Sequence, residues 1–266
     1  MKKYFSYFKA ELMAGIQYRG AAISGLTTQF FWGIILIFVY KAFYDYTSID
    51  SMNYREIVTY TWLNQAFFSM IYINLADSGI TNAILDGTVA YELLRPYNVF
   101  TWWFSKLISK RYSMVILRCI PILIVSPIIW SPYNLSGPKS VASFLLFVLA
   151  LFLGSIIVSL INVLVRSIAF YTHQDKGITS IITRVADFLS GFFLPIPLLP
   201  DLLIKITKYL PFRLIGDLPF RIYSGNINIT TATYDIILQL IWIILLVIIG
   251  NIVLLNSLKK VSIQGG

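Results

Sequence analysis

Residues 141–165 read VASFLLFVLALFLGSIIVSLINVLV, 25 residues without a charge and with only serine, glycine and asparagine interrupting the apolar run. At helical rise such a segment reaches ~37 Å, enough to cross the ~30 Å hydrocarbon layer of a bilayer. A helix in the core of a soluble protein keeps a polar face toward water, and this one has none. It reads as a transmembrane helix, which makes lipid the solvent against which the rest of the chain is judged.

Working outward, five further runs have the same character: Ala21 to Tyr40, Ile57 to Ala76, Lys110 to Trp130, Gly177 to Leu194 and Tyr234 to Leu255. The expected fold is an all-α membrane protein of six transmembrane helices, forming a single domain over residues 1–266. Composition agrees, with 58% hydrophobic residues, 12% charged residues and a mean hydropathy of +0.76. So little charge could not solubilise that much apolar surface in water.

The first 19 residues are expected to lie on the membrane surface as an amphipathic helix, with Phe5, Phe8, Leu12 and Ile16 toward the acyl chains. Ser6, Lys9, Glu11 and Gln17 interrupt the stretch, so it does not read as a secretory signal. With the N-terminus inside, the inner segments hold 13 of the 21 Lys and Arg residues and the outer ones hold 7, Arg118 lying within a span. That bias places both termini in the cytoplasm. It also accounts for the net charge of +9 without nucleic acid as a partner. Cys119 and His173 are the sole residues of their types, which excludes a disulfide framework and argues against a thiolate or histidine metal site.

Two connections are candidates for mechanism. Between the second and third spans lies a long polar stretch, Asp77 to Lys106, that contains Asp86, Gly87, Glu92, Leu93, Leu94, Arg95 and Pro96. Gly87 permits a tight turn, proline stops the element, and Glu92 and Arg95 share a helical face at i, i+3. It reads either as a surface loop or as an element that docks into a soluble partner. Before the last span, the apolar stretch 190–200 is broken at Pro195, Pro197 and Pro200, just after Gly191. A continuous helix is impossible there, so a re-entrant segment or a structural cap is expected on the outer side. Leu202, Leu203, Ile206 and Leu210 then form an interfacial stripe opposite Asp201, Lys205 and Lys208.

Charged groups inside spans need partners. Arg118 and Asp187 fall at comparable depth from the inner face and are expected to pair across two helices, with Arg184 and Asp187 at i, i+3 as the rival pair. Gln29, Asn64, Gln65, Asn162 and Gln239 are amides at membrane depth. They are read as lining a transport path or, equally, as interhelical hydrogen-bonding groups.

The order of these features resembles the type-2 ABC exporter permeases, the ABC-2 family, over the whole chain. The residues that carry the resemblance are the Gly87 to Pro96 element, Ser190-Gly191 with its spaced prolines, Tyr18-Arg19-Gly20-Ala21, Gln29-Phe30-Phe31-Trp32-Gly33, Pro219-Phe220-Arg221-Ile222-Tyr223-Ser224-Gly225-Asn226 and the ending Gln264-Gly265-Gly266. The resemblance implies a permease domain with an N-terminal elbow helix (1–19), an ATPase-coupling element (78–96) and an outer re-entrant segment (190–223). It further implies two permeases, identical or paralogous, above two cytoplasmic ABC ATPase subunits in a bacterial or archaeal cell membrane. ATP and magnesium would bind on those subunits and no cofactor on this chain, in keeping with the lack of a G-x-x-x-x-G-K-[ST] phosphate loop.

The expected function is export by alternating access, without covalent chemistry on this chain. The 16% aromatic content and scarce intramembrane charge favour an amphiphilic or drug-like substrate. A membrane-embedded enzyme would need convergent catalytic groups that the spans lack. The alternative transporter is a proton-coupled secondary carrier, for which Asp187 alone makes a poor relay.

Overall fold

A computed structural model of the chain describes residues 2–17, 19–47, 49–73, 78–167, 170 and 176–258. Tyr18, the loop with His173 and the ending Gln264-Gly265-Gly266 lie outside the described residues. All regular structure among the described residues is helical.

Four of the helices are long and apolar enough to cross a membrane. They are α2 (Arg19–Tyr46), α7 (Val99–Val125, prolonged as 3-10 helix to Ile128), α8 (Val141–Ser167) and α12 (Ile229–Leu258). The other two expected spans take a different form. Residues 54–71 make α3 (Tyr54–Ala66) and the single turn α4 (Phe68–Ile71), separated at Phe67, whose φ is −100° and ψ 15°. Every residue from Ile57 to Ala66 is buried in protein. A helix surrounded by its neighbours need not be apolar on all sides, which is how Thr59, Thr61, Asn64 and Gln65 are accommodated.

The fifth expected span is α9 (Lys176–Leu189), only 14 residues long. Its Ile181, Val185 and Phe188 point outward, while Thr183, Ala186 and Asp187 are buried, the inside-out pattern of a helix set against lipid. Helix ends at Leu189, five residues before the Leu194 expected from hydropathy, because Gly191 takes a left-handed φ of +78°.

The remaining helices are α1 (Lys2–Gln17), α5 (Ser78–Leu85), α6 (Val89–Leu93), α10 (Asp201–Thr207) and α11 (Asp217–Ser224). α7 starts well before the expected Lys110. Asn98 caps it, its side chain accepting from Thr101 N–H at 3.0 Å, so the polar connection ends at residue 98 and not at Lys106. α1 packs along this early part of α7, with Tyr7 at 5.0 Å from Trp102 and Phe8 at 6.2 Å from Tyr112. Phe8 thus faces protein and not the acyl chains, while Phe5 stays exposed. The side chains of Leu12 and Ile16 lie outside the described residues.

α8 is the central post. α12 lies along it, α11 crosses it, and α7 and α9 touch it. The crossing with the outer segment is close because residue 154 is glycine: a Cβ there would stand 2.6 Å from the Ile215 carbonyl oxygen. Gly154→Ala is expected to cost about 1–3 kcal/mol through overpacking, read as earlier loss of the monodisperse peak on heating in detergent. Gln239 of α12 strengthens the same junction, donating to the Ala150 and Leu214 carbonyls at 2.9 and 2.8 Å.

Candidate functional site

Between α4 and α7, α5 and α6 form an elbow. The α5 helix stops because Gly87 adopts φ +71°, its N–H reaching the Ile84 carbonyl at 3.3 Å. Buried Ile80 and Val89 anchor the two arms to the bundle. Glu92 turns away from Arg95 and toward α7, where Oε2 accepts from Trp103 Nε1 at 2.7 Å and Oε1 from Lys106 Nζ at 2.5 Å. The expected Glu92–Arg95 face is therefore replaced by a clamp between α6 and α7, and Arg95 is exposed. Lys106 also sits 5.5 Å over the Trp102 ring, which Tyr97 and Tyr7 flank at 4.9 and 5.0 Å. Burial, then the nearby Glu92 carboxylate, pushes the Tyr97 hydroxyl above its ordinary range.

What this elbow leaves outside is apolar. Leu94 is 82% exposed and Tyr91 68%, with Leu85 and Leu93 beside them and Asp86, Arg95 and Pro96 at the margin. Three leucines and a tyrosine held outward on a polar connection form a surface that water tolerates poorly.

The segment from Gly191 to Asn226 is knitted to α3 by hydrogen bonds. Tyr60 of α3 donates to the Gly191 carbonyl at 2.8 Å. Asp217, fully buried at the start of α11, accepts from Ile196 N–H at 3.0 Å and from Arg221 Nη1 at 3.3 Å. Arg221 Nε in turn donates to Asn226, which donates to Glu56 of the α3 capping box. Burial raises the Asp217 carboxyl and Arg221 pulls it back. Arg213 and Asp235 make a second, two-pronged ion pair at 2.9 and 2.6 Å. Of the expected gate residues, Gly191 and Pro195 are buried within this network, Pro197 is half-buried and Pro200 caps α10 at the surface. A Cβ on Gly191 would lie 2.5 Å from the Tyr60 hydroxyl and 2.8 Å from Asp217 Cβ.

Arg118 and Asp187 form no ion pair. Arg118 lies against Gly25 of α2, while Asp187 accepts from the Ile73 N–H at 2.7 Å. Arg184 does not meet Asp187 either and donates to the Tyr72 hydroxyl at 2.7 Å. The guanidinium buried beside Asp187 is that of Arg111, two turns earlier on α7 than Arg118.

The amides all face the interior of the chain. Asn64 donates to the Phe192 carbonyl at 2.9 Å, linking α3 to the outer segment, and Asn162 donates within α8 to Val158 at 2.9 Å. Gln29 and Gln65 are buried, Gln65 lying against Gly33 of α2. Asn64 is thus seen in the hydrogen-bonding role. No group of His, Cys, Asp and Glu suited to a metal occurs among the described residues.

Sequence reasoning missed Tyr60, Asp217, Arg221, Asp235, Trp103 and Arg111. Asp217 and Arg221 have the only local signal, an i, i+4 spacing; the other partners are too far apart in sequence for any periodicity to join them.

No protein of curated function matches the chain with significance. Residues 28–265, nearly the whole sequence, match the family described as ABC-2 family transporter protein. The chain belongs to the ABC-2 family of transporter membrane proteins.

Proposed function

We propose that this chain is the permease of an ATP-driven exporter. Two cytoplasmic ATPase subunits hydrolyse ATP with magnesium, and a second permease, identical or paralogous, completes the path. The chain crosses a bacterial or archaeal cell membrane six times, with α3–α4 and α9 as the two shorter crossings and both termini inside. Closure of the ATPases pushes on residues 78–96 and switches access from the inner to the outer side, where residues 190–223 cap the exit. The cargo is an amphiphilic or drug-like compound, in keeping with the aromatic content of the spans.

The observation that carries this reading is the α5–α6 elbow: apolar side chains held outward at the inner face, on an element clamped by Glu92 to α7. A cytoplasmic partner with an apolar groove explains that arrangement. Affinity purification of the tagged chain from mild detergent, with mass spectrometry of what accompanies it, tests the reading. A soluble chain carrying a phosphate-binding loop should co-purify. Tyr91→Glu with Leu94→Glu should reduce its recovery at least ~10-fold, because charge replaces the apolar anchors of the contact. Undiminished recovery with that variant would move the contact elsewhere on the inner face. A stable wild-type complex without any ATPase would put the proton-coupled carrier in place of the exporter.

A further inference from the structure

One peptide unit at the inner end of the second crossing is held on both of its polar groups by charged side chains from two other helices. The Tyr72 carbonyl accepts from Arg111 of α7 at 2.8 Å. The N–H on the other side of that peptide bond, of Ile73, donates to Asp187 of α9 at 2.7 Å. The same Arg111 nitrogen lies 3.3 and 3.4 Å from the Ser69 and Met70 carbonyls, so it also closes the last turn of α4. Arg111 is 1% exposed and Asp187 0%.

A neutral donor and a neutral acceptor would satisfy one peptide unit. Burying a guanidinium and a carboxylate for that purpose is costly, and it yields charge-assisted bonds that hold three helices in one register. The place of the grip matters. Ser78 opens α5 five residues after Ile73, so the gripped peptide is the last described point of the bundle before the elbow. On the other side, Asp187 is one turn before Gly191, and its carbonyl accepts from the Ser190 hydroxyl at 2.7 Å. Gly191 is bound to Tyr60 and lies against Asp217. A short chain of bonded groups therefore runs from peptide 72–73 through Asp187 to the outer segment.

We propose that Arg111 and Asp187 are positioning residues that form the joint through which movement of residues 78–96 reaches the outer segment. The inference rests on the exporter reading. Arg111 ties the joint to α7, and Asp187 passes displacement along α9 to residues 190–196. Loosening either arm leaves both ends intact and disconnects them.

The test uses the permease with its co-purified ATPase in lipid nanodiscs, with Cys119→Ser to remove the native thiol. Single cysteines are placed at Asn82, exposed on α5, on the inner side and at Phe193 on the outer side. Rates of maleimide labelling are compared with and without ATP and vanadate. Without further change, nucleotide should alter the rate at both sites at least ~3-fold. With Asp187→Ala or Arg111→Met the Asn82 site should still respond, while the response at Phe193 should vanish. Asp187→Asn, which keeps an acceptor for Ile73, gives a variant closer to the native packing, with a diminished Phe193 response expected. Hydrogen exchange on the permease alone supplies a readout independent of the ATPase: the Ile73 amide should exchange at least ~10-fold faster in Asp187→Ala. A full Phe193 response in these variants, or unchanged exchange at Ile73, overturns the joint. Silence at both cysteines before any joint substitution overturns the exporter reading and the joint with it.

Discussion

Asp217→Ala should lower the melting temperature of the detergent-solubilised protein by roughly 10 °C, taking ~3–5 kcal/mol for a broken buried ion pair and ~2–4 °C per kcal/mol at this chain length. Three losses combine. Arg221 keeps a charge with its carboxylate partner gone, the Ile196 N–H loses its acceptor, and a void opens where Gly191 and Tyr60 meet the side chain. Asp217→Asn retains an oxygen for Ile196 and the shape of the site, so about half the shift is expected. Tyr60→Phe removes the bond to the Gly191 carbonyl and a longer one, at 3.4 Å, to Asp217 Oδ1, and should cost ~1 kcal/mol. The order Ala, Asn, then Tyr60→Phe is the informative result, measured by heating followed by size-exclusion chromatography. Should Asp217→Ala melt with the wild type, the outer segment would not depend on this carboxylate, and its order would have to come from apolar packing around Phe220 and Ile215.

The parts of the fold that hydropathy reads well are the long helices that are apolar on all sides. α8 and α12 are of this kind, and residues 141–165 and 234–255 announce them, although α8 is mostly buried in protein. α3 is legible only in part, because Thr59, Thr61, Asn64 and Gln65 lower its hydropathy while each is buried. The end of α9 depends on a single backbone conformation at Gly191, which hydropathy does not sense. For the site, the Gly87 turn and the proline stop were visible, since both are local. The partners of Glu92 were not, because Trp103 and Lys106 lie 11 and 14 residues away across a turn whose geometry no periodicity encodes.

The expected ion pair shows how close depth arithmetic comes and where it fails. Arg111 and Arg118 are seven residues apart, hence ~20° apart in azimuth and ~10 Å in depth on α7. Depth alone selected Arg118, but it is Arg111 that meets the Tyr72 carbonyl, beyond the break in helix at Phe67.

Glu92→Ala should speed hydrogen exchange of the amides from residue 84 to residue 94 by about 10- to 100-fold and leave α8 unchanged. Its carboxylate makes two charge-assisted or polar bonds to α7, and loss of ~1.5–3 kcal/mol raises the population of the detached elbow by that factor. Glu92→Gln keeps an acceptor for Trp103 Nε1 and loses the charge that holds Lys106, so an intermediate rate is expected. Lys106→Met should resemble Glu92→Gln, and the double variant should add little to Glu92→Ala, because both substitutions break one contact. Additive effects would mean that Lys106 steadies the elbow by its position over Trp102 and not through Glu92. Since the spans do not depend on Glu92, the variant should still purify as a folded protein. A partner pushing on Tyr91 and Leu94 would then move the elbow without moving α7. Stability of the bundle and transmission through the elbow are in this way separable, and Glu92 is the residue at which they part.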